Sequence, residues 1–194
     1  MTRIAIVYHS HGGHTKLLAE AVAEGASEID NATVSLHRIE GSDITDGRFS
    51  NDELLTSLDD ADAIVFGSPT HMGSVSGPFK AFLDGTVHIW YASRWSNKVA
   101  AAFTVSSTPS GDKLTSLLAS YICAMQHGMI WVGVDQSPLN QDELNRLGFY
   151  AGVGGQADHG RDGVAIHDGD RRTGVDLGRR VATIAVAVRS GLAA

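Results

Sequence analysis

Ile4-Ala5-Ile6-Val7-Tyr8-His9-Ser10-His11-Gly12-Gly13-His14-Thr15 is an apolar run that passes straight into a Ser/Gly/Thr turn and then a helical pattern. An unbroken apolar run of this length reads as a parallel strand buried on both faces. The small residues of the turn let a ligand approach the main chain closely. A helix opening at about Gly13 or His14 offers unpaired N–H groups and the positive end of its dipole. Ser10, His11, Gly12, Gly13, His14 and Thr15 therefore form a candidate anion cradle that needs no Lys or Arg. The competing account of the same residues is an ordinary strand-helix turn with glycine for geometry.

Residues that are missing narrow the anion. A triphosphate loop needs Gly-Lys-Ser/Thr, whereas Lys16 stands after the threonine. A dinucleotide fingerprint needs G-x-G-x-x-G spacing, which His11 to Lys16 does not supply. A single terminal phosphate fits best.

The 194 residues suit one domain, 1–194, with a core covered by helices on both faces. A net charge of -7 argues against a nucleic-acid partner. The lone Cys123 excludes an internal disulfide, and its apolar neighbours suggest a buried thiol rather than a redox centre. No apolar run reaches the roughly 18 residues of a membrane span. The start Met1-Thr2-Arg3 leaves no room for a signal peptide, so the cytoplasm is the expected location.

Along the chain the strand-loop-helix pattern recurs. Apolar spacing predicts a helix over 15–29, a more exposed strand over 33–39, a surface loop over 40–50 and a short helix over 51–58. A strand over 61–67 runs into a loop and a helix with Pro78 in its first turn. A strand over 99–105 precedes a turn-rich loop over 106–112 and a helix over 113–126. The inner face of that helix is expected to carry Leu114, Leu117, Leu118, Tyr121, Ile122 and Met125. A fifth strand is expected over 129–134, and a last helix, capped at about Asp170, with a stripe of Leu177, Val181, Ile184 and Val188. Five strands alternating with helices imply an α/β fold with a parallel sheet and right-handed crossovers. Loops after the first, third and fourth strands would converge outside their carboxyl ends, where such sheets bind ligands.

The loop Ser10 to Thr15, the run Ala63 to Gly77, the stretch Phe82-Leu83-Asp84 with Trp90 beyond it, and Gln126-His127-Gly128-Met129 together resemble the flavodoxin-like, WrbA-type FMN-dependent NAD(P)H:quinone oxidoreductases. The resemblance covers nearly the whole chain, least well over 40–50 and 148–169. It implies a flavodoxin-like doubly wound five-stranded sheet of order 2-1-3-4-5. It implies FMN as cofactor, with its phosphate on Ser10 to Thr15 and its ring against Pro69, Thr70, His71, Met72 and Gly73. The other edge of the ring would be wrapped by Ser106, Ser107, Thr108, Pro109, Ser110 and Gly111. His127 falls where the family has a histidine on the substrate side of the flavin. Trp90 falls where an aromatic reaches a neighbouring subunit's site, which suggests a homotetramer.

The implied activity is ping-pong hydride transfer from NADH or NADPH, through FMN, to a quinone or other small acceptor. A flavodoxin-like one-electron carrier is the alternative, favoured by the acidic charge. Three departures bear on substrate. His71-Met72 replaces a basic-aromatic pair, altering the pocket wall where Met72 would meet substrate; Gly12 stands where an aromatic is common; and the 106–111 loop is longer on its strand side. No metal site is expected: His9, His11 and His14 are split by the Gly-Gly turn. His159, Asp162, His167, Asp168 and Asp170 read as a solvated loop before the last helix. Trp90, Tyr91 and Trp95 suit equally a satellite core or an intersubunit contact.

Overall fold

The computed structural model describes residues 1–159 and 163–192. The first half of the chain runs β1 (Thr2–His9), α1 (His14–Ser27), β2 (Ala32–Ile39), β3 (Ile44–Thr45), β4 (Arg48–Phe49), α2 (Asp52–Asp59), β5 (Ala63–His71), β6 (Ser74–Val75) and α3 (Gly77–Gly85). It continues with α4 (Val87–Tyr91), β7 (Val99–Ser106), α5 (Lys113–Gln126), β8 (Ile130–Trp131), β9 (Val153–Gln156) and α6 (Asp168–Leu192).

The main sheet has the order β2-β1-β5-β7-β8, all parallel, with Ile4 opposite Val34 on one side and Ala63 on the other. This is the expected 2-1-3-4-5 arrangement. Alternation along β1 sends Ile4, Ile6 and Tyr8 to one face and Ala5 and Val7 to the other. The first face is covered by α1 and α6 through Leu18, Val22, Val175 and Val181. The second is covered by α2 to α5 through Leu58, Phe79, Phe82, Ile89 and Leu117. Helices α1 and α6 cross where glycine lets backbones meet: a Cβ on Gly25 would lie 1.8 Å from the Val175 carbonyl, and one on Gly178 2.0 Å from that of Val22.

Three expectations change. The fifth sheet position is shared by two segments placed end to end: Ile130 and Trp131 pair with the start of β7, and Val153 to Gln156 with its end. Strand pairing stops after Val132, because Val134 turns its amide to the Tyr150 carbonyl at 3.0 Å and the chain departs through 135–152. Helix α5 is rotated relative to its apolar stripe. It buries Lys113, Ser116, Leu117, Ser120 and Ala124, leaving Leu114, Leu118, Tyr121, Ile122 and Met125 outward. Small and hydroxylic residues fit close to β5 and β7, where the large side chains do not. The third change is at Asp170, which does not cap α6; it lies inside the first turn, 1% exposed, facing β9.

The segment over 40–50 is largely exposed, as expected, but contains the small β3–β4 hairpin. No helix among the described residues is long and apolar enough to cross a membrane.

Candidate functional site

The cradle forms as the apolar run requires. Strand β1 ends at His9, Gly13 takes a left-handed φ of 89°, and α1 starts at His14. The Ser10 hydroxyl accepts the amide of Lys16 at 3.2 Å, satisfying the third residue of the helix. The amides of His14 and Thr15 precede any intrahelical acceptor. Thr15 is 2% exposed and lines the cleft described below. Gly13 is also a close approach: a Cβ there would sit 3.0 Å from Val164. Burial and, secondarily, the neighbouring His159 push the His14 imidazole below its ordinary value, and the two rings meet edge-on at 5.7 Å. Both effects favour the neutral imidazole, which carries one N–H that a phosphate can accept.

Beside the cradle, β5 and β6 form a hairpin whose turn residues Met72 and Gly73 have φ of 48° and 76°, the conformation tight hairpins favour. The hairpin is staked from beneath. The Thr70 hydroxyl bonds those of Thr104 (2.7 Å) and Ser116 (2.8 Å), and Ser76 joins His9 Nδ1 at 2.8 Å. Burial, then His71, Arg38 and His11, lower the pKa of His9.

Together these segments line a cleft of about 190 Å³ walled by His11, Gly12, His14, Thr15, Pro69, Thr70, His71, Ser106 and Ser107. A groove of about 600 Å³, lined by Arg38, Glu40, Ser76 and Gly77, shares His11 and His71 with it.

Three strand-end segments thus converge on one cleft, but of the expected residues Ser10, Gly13 and Gly73 stand outside its lining. Met72, fully exposed at the hairpin tip, does not line the cleft, so His71 supplies that wall. Of the loop after β7, only Ser106 and Ser107 line it, while 108–111 folds back over Lys113. Sequence inspection passed over Ala157, which closes the cleft from beyond β9. It also passed over Thr104 and Ser116, whose hydroxyls carried no signal apart from the fold.

His127 and Trp90 lie elsewhere. His127 ends α5; the adjoining Gly128 accepts the Asn97 amide, and Ile130 opens the pairing with Val99, the first residue of β7. The cleft is at the other end of that strand, roughly 20 Å away at about 3.3 Å per residue. Within one chain, therefore, His127 does not face the cleft. It is 5% exposed, its ring 4.6 Å from Trp95, and its pKa is lowered by burial. Thr86 donates its hydroxyl proton to the Leu83 carbonyl, so His127 Nε2 donates to Thr86 at 2.9 Å. That fixes Nδ1 as an acceptor, and it is buried without a partner among the described residues. Trp90, 44% exposed, lines the same cavity of about 290 Å³ with Cys123, whose thiol burial pushes up to about 11. The aromatic trio divides: Trp95 is core, while Trp90 and Tyr91 are exposed.

His9 and His14 turn to different partners, Ser76 and His159. Of the acidic loop group, Asp162 lies outside the described residues. Asp170 accepts the Gln156 amide at 2.8 Å and Arg146 Nη2 at 3.0 Å. Arg146 Nε stands 2.9 Å from its second oxygen, too bent for a hydrogen bond.

A cradle for one phosphate at the first strand-helix turn, with two flanking walls for a flat ring, defines a flavodoxin-like mononucleotide-binding protein. The chain belongs to the NADPH-dependent FMN reductase family, which it matches over residues 2–143. It is 38% identical to flavodoxin FldP of Pseudomonas aeruginosa, covering 95% of this chain and 97% of that one. It is 37% identical to an NAD(P)H dehydrogenase (quinone) of Archaeoglobus fulgidus, covering 95% and 98%. The structure of a WrbA-like flavodoxin from Agrobacterium tumefaciens superposes with a TM-score of 0.76 at 35% identity, over 96% of this chain and 99% of that one. FMN fits what the cleft offers: the first-turn amides of α1, the buried Thr15, and a Gly12-Gly13 turn that carries no side chain of its own.

Proposed function

We propose that this protein is an FMN-dependent oxidoreductase that takes a hydride from NADH or NADPH and reduces a quinone or another small acceptor. The observation that carries the proposal is the convergence of the 11–15, 69–71 and 106–107 segments on one cleft. When bound, FMN supplies the hydride chemistry. The chain's own residues bind and orient. The amides of His14 and Thr15 hold the phosphate; Pro69, Thr70 and His71 set one wall of the ring, and Ser106 and Ser107 the other. Each turnover consumes one NAD(P)H and one proton and yields NAD(P)⁺ and the hydroquinone, donor and acceptor using the same space in turn.

His127 and Trp90 act, in this proposal, on the cleft of a neighbouring subunit in a dimer or tetramer. What supports this is the outward apolar stripe Leu114, Leu118, Tyr121, Ile122 and Met125 on α5, a helix whose Cys123 and Gln126 share a cavity with the exposed Trp90. An exposed apolar stripe of this kind marks an interface. The occupant is a second copy, and it would set the cavity lined by Trp90 and His127 against a neighbouring cleft. The cytoplasm, where NAD(P)H is made, is the proposed location.

Initial rates with NADPH and benzoquinone are expected to give parallel double-reciprocal lines, from a species that elutes larger than a monomer. Intersecting lines contradict the two-step cycle, and elution as a monomer removes the role of Trp90 and His127. An FMN-loaded protein inert to both nucleotides would be an electron carrier, the reading favoured by the name of the Pseudomonas relative.

A further inference from the structure

Lys113 is 0% exposed, an unusual state for a lysine. Its Nζ donates to the carbonyls of Thr108 (2.5 Å) and Pro109 (3.0 Å), the two residues at the crest of the loop after β7. The Thr108 carbonyl also accepts the Ser106 hydroxyl at 3.2 Å, and the Ser110 carbonyl takes the Lys113 amide at 3.2 Å. Room for the aliphatic stem is made at Gly154 of β9, where a Cβ would lie 3.1 Å from Lys113 Cδ. The charged groups facing the ammonium are Asp170 from α6 and Arg146 from the 135–152 segment.

We propose that Lys113 is the positioning residue of the FMN site: its buried ammonium gathers the 108 and 109 carbonyls and, through the Ser106 hydroxyl on the Thr108 carbonyl, holds Ser106 and Ser107 in the cleft wall. The inference rests on the FMN reading of the cleft and extends it to a residue that lines no part of it. Charge-assisted bonds to two carbonyls hold the loop more firmly than a neutral amine does. Burial, opposed by Asp170 and assisted by Arg146, lowers the Lys113 pKa to about 8.

Two trends of opposite sign follow. The unfolded chain keeps its proton to higher pH than the folded one, so this group makes the FMN-free fold more stable as pH rises above about 8. FMN binding requires the protonated form, so affinity falls over the same range, toward a limit of about tenfold per pH unit for one linked proton.

The test is fluorescence titration of the FMN-free protein with FMN between pH 7 and 9, on wild type and Lys113→Met, alongside melting temperatures. Wild type is expected to hold a constant Kd near pH 7 and to weaken severalfold by pH 9. Lys113→Met is expected to bind about tenfold more weakly at pH 7, with no pH trend, while melting no lower than wild type. A wild-type Kd that is flat to pH 9 overturns the proposal and leaves the FMN site standing. So does a Lys113→Met protein that keeps the pH trend. Absence of FMN binding at every pH overturns the FMN site itself. The wild-type arm stands even where the variant does not fold.

Discussion

Thr15→Asp abolishes tight FMN binding while leaving the FMN-free protein as stable as before or slightly more so. Thr15 is the second residue of α1, 2% exposed, with its hydroxyl at the cradle. A carboxylate about 4 Å from a phosphate charge, at an effective dielectric of about 20, costs ~4 kcal/mol. That is roughly a thousandfold in Kd. The same carboxylate in the first turn of a helix is favoured by the dipole by about 0.3–1 kcal/mol. Titration with FMN and a thermal melt of the FMN-free variant check both halves. Unchanged affinity would mean that the phosphate is held elsewhere. A large fall in melting temperature would mean that Thr15 is structural.

Gly178→Leu is the second large effect, expected to destabilise by ~4 kcal/mol or more. The Gly178 Cβ position is 2.0 Å from the Val22 carbonyl and 2.9 Å from the Ala26 amide, so the new side chain meets backbone on both sides. Helix α1 must then tilt or part from α6, and its first turn is the phosphate cradle. For a domain of this size the melting temperature should drop by about 8–16 °C, with weakened FMN binding. Gly191→Ala, in the same helix with nothing within 4 Å of its Cβ position, is the control and is expected to melt no lower than wild type. Equal melting temperatures for wild type and Gly178→Leu would show that the crossing tolerates a side chain.

Much of this architecture was legible in the residues because local pattern and burial agree. The apolar runs of β1, β5 and β7 are buried on both faces, so composition alone identified them, and the turn chemistry at Ser10 to Thr15 is local. The fifth sheet position was not legible. Val132 to Val134 look like strand residues, yet Gly133 approaches the Tyr150 carbonyl, where a Cβ would lie 2.3 Å away, and a distant segment completes the edge. Helix α5 misled because its most apolar stripe faces outward; periodicity finds the stripe but does not say which partner covers it. His127 was identified from a resemblance whose site need not close within one chain. Lys113 was invisible for a related reason: a lysine opening a helix looks solvated unless the loop above it is known to fold back.

The central claim is that the cleft holds FMN for two-electron exchange between NAD(P)H and a small acceptor. Anaerobic addition of NADPH or NADH to the FMN-loaded protein, followed by benzoquinone, tests it most directly. The yellow absorbance should bleach with one equivalent of nucleotide and return with one equivalent of quinone. A protein that takes up no FMN, or whose bound FMN stays oxidised with both nucleotides, contradicts it.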